Sequence, residues 1–160
     1  MMYLVFGEPG SGKSKRAEEL CMKLSGSGER IYLATMLCVG DDGKERIRRH
    51  RKMRQGKGFI TIECPYSIQN ALSNIKNPTD ATVLLECVSN LVANEMFECG
   101  HMDMDELFSV VVDEILYLER KVKNLVVVSN HFEPTGDEET DKYIRANEMI
   151  NKFCKKFVKI

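Results

Sequence analysis

Apolar residues along the chain fall in short dense blocks, separated by longer stretches in which they recur at helical spacing. The blocks are residues 3–6, 31–36, 59–64, 81–87 and 125–129. The first runs continuously and does not alternate, the pattern of a parallel strand buried on both faces. ATVLLEC at 81–87 and LVVVS at 125–129 read as buried strands in the same way. The intervening stretches carry a 3.6-residue period. Ala17, Leu20, Cys21 and Leu24 make one stripe over 14–24, and Leu107, Val111, Ile115 and Leu118 make another over 105–121. Further helices are expected at 44–55, 88–97 and 141–155, with a short amphipathic one at 67–75. Gly26-Ser27-Gly28, Gly56-Lys57-Gly58 and Asn77-Pro78 punctuate the pattern as turns. So does Gly40 to Gly43, where Asp41 or Asp42 caps the next helix. Residues 99–103 and 130–140 read as loops, and 157–160 as a last edge strand or a frayed end.

Strands that alternate with helices predict an α/β fold with a mostly parallel sheet and helices on both faces. The length predicts a single domain, 1–160. Ligands of such sheets bind at the carboxyl ends of the strands. Gly7 to Ser14, Thr35, Met36, Glu63 and Glu86 all occupy such ends and are candidate nucleotide contacts.

Composition narrows the partners. The net charge of −1 and pI of about 6.3 offer no global attraction for nucleic acid, so no nucleic-acid partner is expected. No apolar run reaches the ~20 residues of a membrane span. The first residues show no basic segment followed by a long apolar one, so no secretory signal is read. Six cysteines stand at 21, 38, 64, 87, 99 and 154 without a CxxC pair. They read as reduced thiols of a cytoplasmic protein.

The sharpest chemical signal follows the first strand. Gly7, Glu8, Pro9, Gly10, Ser11, Gly12, Lys13 and Ser14 fit G-x-x-x-x-G-K-[ST], the phosphate-binding P-loop. The glycines bring backbone N–H groups toward one anion, and the following helix points its positive end there. Lys13 reaches the outer phosphates, and the Ser14 hydroxyl ligates Mg²⁺. Glu86, an acid at the end of an apolar strand, is the second candidate ligand of that ion.

A second signal is compositional. KERIRRHRKMRQ at 44–55 is too polar for a core helix. At helical spacing Arg46, His50 and Arg54 share a face. A solvated basic helix is the bland reading of such a run. Against it stand one imidazole among guanidiniums suited to phosphate oxygens, and the concentration of positive charge in a net acidic chain.

Four segments together resemble a known family, the adenosylcobinamide kinase/adenosylcobinamide-phosphate guanylyltransferases of cobalamin biosynthesis. They are the phosphate loop near Met1, IYLATM at 31–36, RIRRHRKMR with FITIECP, and VLLECVSNLVANEMF. Arg46, Ile47, His50, Arg54, Thr61, Glu63, Pro65, Glu86 and Asn94 match family positions. The resemblance implies a RecA-like P-loop fold, a homotrimer, and GTP and/or ATP with the corrinoid adenosylcobinamide as substrates. It implies that His50 becomes guanylylated, that Lys13 serves phosphoryl transfer, and that Arg51, Lys52, Met53, Arg54, Glu63 and Glu86 join the loop in the nucleotide site. This chain departs from the pattern at Gly10, where members carry Arg, and at Phe59, where they carry Trp. It departs again at Asn130-His131-Phe132-Glu133, where they show N-E-V-G. Two other readings compete: a P-loop kinase for another small molecule, which does not need His50, and a nucleotide-binding protein without turnover. Covalent labelling by GTP separates the first reading from both.

Overall fold

The computed structural model describes residues 1–37 and 40–158. Its elements in order are β1 (Met2–Gly7), α1 (Lys13–Ser25), β2 (Arg30–Ala34), α2 (Gly40–Arg54), β3 (Phe59–Glu63), β4 (Thr82–Glu86), α3 (Val88–Phe97), α4 (Met104–Lys121), β5 (Asn124–Asn130) and α5 (Glu138–Phe157). The five strands form one sheet in the order β1-β5-β4-β2-β3, and every pairing is parallel.

The central strands are continuous apolar runs because both of their faces are covered. Ile31, Leu33, Val83, Leu85, Leu125 and Val127 join the larger core with α3, α4 and α5. Their alternates Tyr32, Leu84, Val126 and Val128 pack on Ala17 and Cys21 of α1. This is the period-2 side-chain alternation of a strand buried on both faces. Asp103 and Asp137 cap α4 and α5, accepting from Glu106 N and Thr140 N at 2.9 Å each.

β3 and α2 behave differently. β3 lies at the sheet edge beside β2 alone, and Ile60, Thr61 and Glu63 are exposed. Of the fifteen residues of α2 only Arg54 is buried. Two local expectations change. The segment expected as an amphipathic helix at 67–75 is a 3₁₀ helix, Ile68–Asn74, entered through Ser67 at φ 49°. Three residues per turn eclipse Ile68 and Ala71, the two side chains it buries. The turn expected at Gly40 to Gly43 is instead the first turn of α2, so Asp41 and Asp42 sit inside the helix, where its positive end favours them. Phe157 ends α5 and is not part of a last strand. Cys38, Lys159 and Ile160, also named in the sequence reading, lie outside the described residues.

Candidate active site

A cleft of about 500 Å³ opens at the carboxyl end of the sheet. It is framed by the β1–α1 loop, the ends of β2, β3 and β4, one side of α2 and the segment after β5.

The loop is built for an anion. The chain turns into α1 through Gly12, at φ 83°, and no side chain caps the helix. The first N–H groups of α1 therefore remain available to a negatively charged ligand. A Cβ on Gly7 would come within 3.1 Å of Ser11 Oγ, because the loop folds back over its own start. Lys13 is buried, and its ammonium donates to the Glu8 carbonyl at 2.8 Å. Pro9, Gly10, Lys13 and Ser14 line the cleft, while Gly7, Glu8, Ser11 and Gly12 complete the loop behind them.

Ser14 Oγ donates to Glu86 Oε1 at 3.1 Å. The other carboxyl oxygen, Oε2, is buried without a partner. Burial pushes the Glu86 carboxyl up to about 7; the Ser14 bond and the Lys13 charge only partly counter it. A hydroxyl beside a carboxyl group with a spare oxygen suits a hard divalent cation, which takes oxygen ligands.

The opposite wall carries nitrogen. His50 is partly buried and lines the cleft with Arg46, Ile47, Arg51 and Arg54. Burial first, and the Arg54 and Arg46 charges next, hold the imidazole below its ordinary pKa of 6.5. Its neutral form is thereby favoured near neutrality. Arg54 is 6% exposed and stacks over the Tyr32 ring, 3.4 Å from its centroid. Its Nη2 donates to Thr61 Oγ1 at 3.3 Å, and its Nη1 is buried without a partner. Arg51 pairs with Glu63 at the cleft mouth.

Other expected contacts lie elsewhere. Lys52 and Met53 are exposed and do not line the cleft. Met36 lines it, but Thr35 lies beneath it. Thr35 Oγ1 donates to Cys87 O and accepts from Cys87 N, both at 2.8 Å. Asn94 Nδ2 donates to Thr35 O at 2.7 Å and to Pro65 O at 2.8 Å, bracing the ends of β2 and β3. Six lining residues were not among the candidate site residues: Tyr32, Ala34, Cys87, Asn90, Asn130 and Phe132. Asn90 offered a faint signal, a polar residue inside an apolar helix just past Glu86.

The sequence is similar to known proteins over most of its length. A bifunctional adenosylcobalamin biosynthesis protein, CobU, of Escherichia coli (strain K12) is 36% identical over 107 residues, covering 66% of this chain and 56% of that protein. The protein of the same name from Salmonella typhimurium (strain LT2) is 31% identical over 140 residues, covering 81% of this chain and 75% of that protein. The match thus spans little more than half the length of the E. coli protein. A sequence model of the family described as cobinamide kinase / cobinamide phosphate guanyltransferase matches residues 3–153. Phosphate loop, cleft and match over nearly the whole length agree: the chain belongs to the cobinamide kinase / cobinamide phosphate guanyltransferase family.

Proposed function

We propose that this chain phosphorylates adenosylcobinamide with ATP or GTP and then transfers GMP from GTP to the phosphorylated corrinoid through His50. The observation that carries the proposal is one cleft lined both by a phosphate loop and by a histidine held in its neutral form by burial and arginines.

In the kinase step the corrinoid hydroxyl oxygen attacks the γ-phosphorus, the bond from that phosphorus to the β–γ bridging oxygen breaks, the nucleoside diphosphate leaves, and the hydroxyl proton passes to solvent. Lys13 and the α1 N-terminus offset phosphate charge, so positioning and electrostatics do most of the work. Ser14 and Glu86 would hold Mg²⁺, which supplies charge neutralisation at the phosphates when bound. In the second step an imidazole nitrogen of His50 attacks the α-phosphorus of GTP. A P–N bond forms, the bond to the bridging oxygen breaks, and pyrophosphate leaves. Burial first, and then Arg54 and Arg46, favour the neutral attacking ring, and the unpaired Nη1 of Arg54 is available to a phosphate oxygen. The phosphate oxygen of the corrinoid then attacks the same phosphorus, the P–N bond breaks, and neutral His50 returns. A homotrimer and a cytoplasmic setting belong to the same proposal. The open edge of β3, with Ile60 half exposed, supports a protein contact there.

Intact mass after incubation with GTP and Mg²⁺ tests the proposal. One GMP is added, acid-labile and base-stable as a phosphoramidate should be. His50→Asn loses the adduct while keeping GTP affinity within about tenfold, since a nucleophile acts mainly on the transition state. An adduct that survives in His50→Asn sinks the assignment. Tight GTP binding without any adduct in the wild type favours the plain kinase.

A further inference from the structure

The parallel pairing of β1 with β5 sets Gly7 opposite Asn130, and His131 N donates to Gly7 O at 3.0 Å. The next residue of the loop, Glu8, is thereby brought beside His131 and Glu133. One ligand atom from each of Glu8, His131 and Glu133 lies within 4.8 Å of the other two. Phe132, between the last two, lines the cleft, whereas Glu8, His131 and Glu133 do not. The cluster is therefore separate from the Ser14–Glu86 pair.

The imidazole is held from several sides. Nδ1 lies 3.0 Å from Glu148 Oε1 on α5, and Nε2 lies 3.0 Å from Glu133 Oε1. The Phe6 ring meets it edge-on at 6.2 Å. Nδ1–H donates to Glu148, and a metal ion would replace the proton that otherwise bridges Nε2 and Glu133. A carboxylate behind the ring is the usual means of orienting a metal-binding histidine. Ligand atoms about 2.0–2.2 Å from one tetrahedral ion stand about 3.3–3.6 Å apart. Closing the cluster from separations of up to 4.8 Å takes on the order of 1 Å, which the exposed side chains of Glu8 and Glu133 supply by rotation. The nearby cations are engaged elsewhere: Lys13 on the Glu8 carbonyl, and Lys155 4.0 Å from the Phe6 ring centroid.

We infer that Glu8, His131 and Glu133 form a binding site for a transition-metal cation of the Zn²⁺ and Co²⁺ class, with Glu148 as the carboxylate that orients His131. One imidazole and two carboxylates favour such ions over Mg²⁺, which prefers all-oxygen sites. Water completes the coordination. The ion ties the phosphate loop to the segment that brings Phe132 to the cleft, at the residue whose carbonyl receives Lys13. The inference does not depend on the reaction proposed above.

Co²⁺ titration of the nucleotide-free chain at mildly alkaline pH, followed by its visible ligand-field absorption, tests the site. One equivalent binds, without the intense charge-transfer band of thiolate ligation, and an excess of Mg²⁺ does not displace it. His131→Asn and Glu133→Gln each weaken binding at least tenfold. Glu148→Gln, which removes no ligand, weakens it by about tenfold. Circular dichroism of each variant verifies the fold. No Co²⁺ bound, a thiolate band, or wild-type affinity in both His131→Asn and Glu133→Gln overturns the site.

Discussion

Glu86→Gln should make the unliganded protein more stable while disabling it, and only above a definable pH. Burial raises the folded-state pKa of this carboxyl from the ordinary 4.5 to about 7. Between those values the folded protein holds a proton that the unfolded chain has released. Stability therefore falls as pH rises through that window, and the loss is complete above it. At 1.36 kcal/mol per pKa unit the penalty at alkaline pH is about 3 kcal/mol. Glutamine carries no charge to desolvate and can still accept from Ser14. Its amide, however, takes over the place of Oε2, which is buried without a partner. That returns about 1–2 kcal/mol of the gain. The net expectation above the window is a gain of about 1–2 kcal/mol, roughly 3–6 °C in Tm for a chain of this size. Below pH 4.5 the wild-type carboxyl is neutral in both states, so the gain vanishes and the amide penalty remains. The assay is thermal unfolding of both proteins across pH 4 to 9, with and without Mg²⁺–GTP. Ligand should raise the wild-type Tm by mass action and the variant's much less. A Tm difference that does not change with pH would refute the reasoning, because it would mean that Glu86 carries no buried charge.

Lys13→Ala should weaken Mg²⁺–GTP binding about ten- to a hundredfold, the worth of a charge-assisted hydrogen bond, with far-ultraviolet dichroism unchanged; unaltered affinity in a calorimetric titration would dismiss the loop assignment. Arg54→Met should raise the His50 pKa, because the guanidinium opposes protonation, yet leave it below 6.5 since burial is the larger cause. Imidazole proton resonances followed against pH measure this, and a fall on substitution would contradict the electrostatics. Cys21, Cys64, Cys87, Cys99 and Cys154 are free thiols, and burial pushes Cys21, Cys87 and Cys154 up to about 12. Those three should resist alkylation until the protein is denatured, when a thiol reagent should count all six cysteines; a count far below six in unreduced protein would mean disulfides.

The sheet was legible because its central strands are buried on both faces, and that condition writes itself as unbroken apolar runs such as Val83 to Leu85 and Leu125 to Val128. The helices of 105–121 and 14–24 were legible for the matching reason, one apolar stripe each. Local signals failed where tertiary geometry decided. Gly40-Asp41-Asp42-Gly43 has turn chemistry, but the chain begins a helix there. Ile68 and Ala71 fit an α-helix as well as a 3₁₀ turn until the left-handed Ser67 is known. In the cleft, the phosphate loop announced itself by spacing. Whether Thr35 faces the ligand or the backbone of Cys87 depends on a partner fifty-two residues away. The stacking of Arg54 on Tyr32 and the meeting of Glu8 with His131 depend equally on strand pairing that no local window contains.

The near detachment of α2 from the core bears on how such an enzyme can change. Of its residues only Arg54, at its last turn, is buried; Gly43, Ile47 and His50 are partly buried and the rest are exposed. Amides in this helix should exchange with solvent through openings far cheaper than global unfolding. Mutational drift across the outward positions therefore draws little on the stability reserve of the domain, while it reshapes one wall of the cleft. Selection can vary the wall that carries His50 without first repairing the fold, a freedom denied to Ser14 and Glu86, whose elements are the sheet and its first helix.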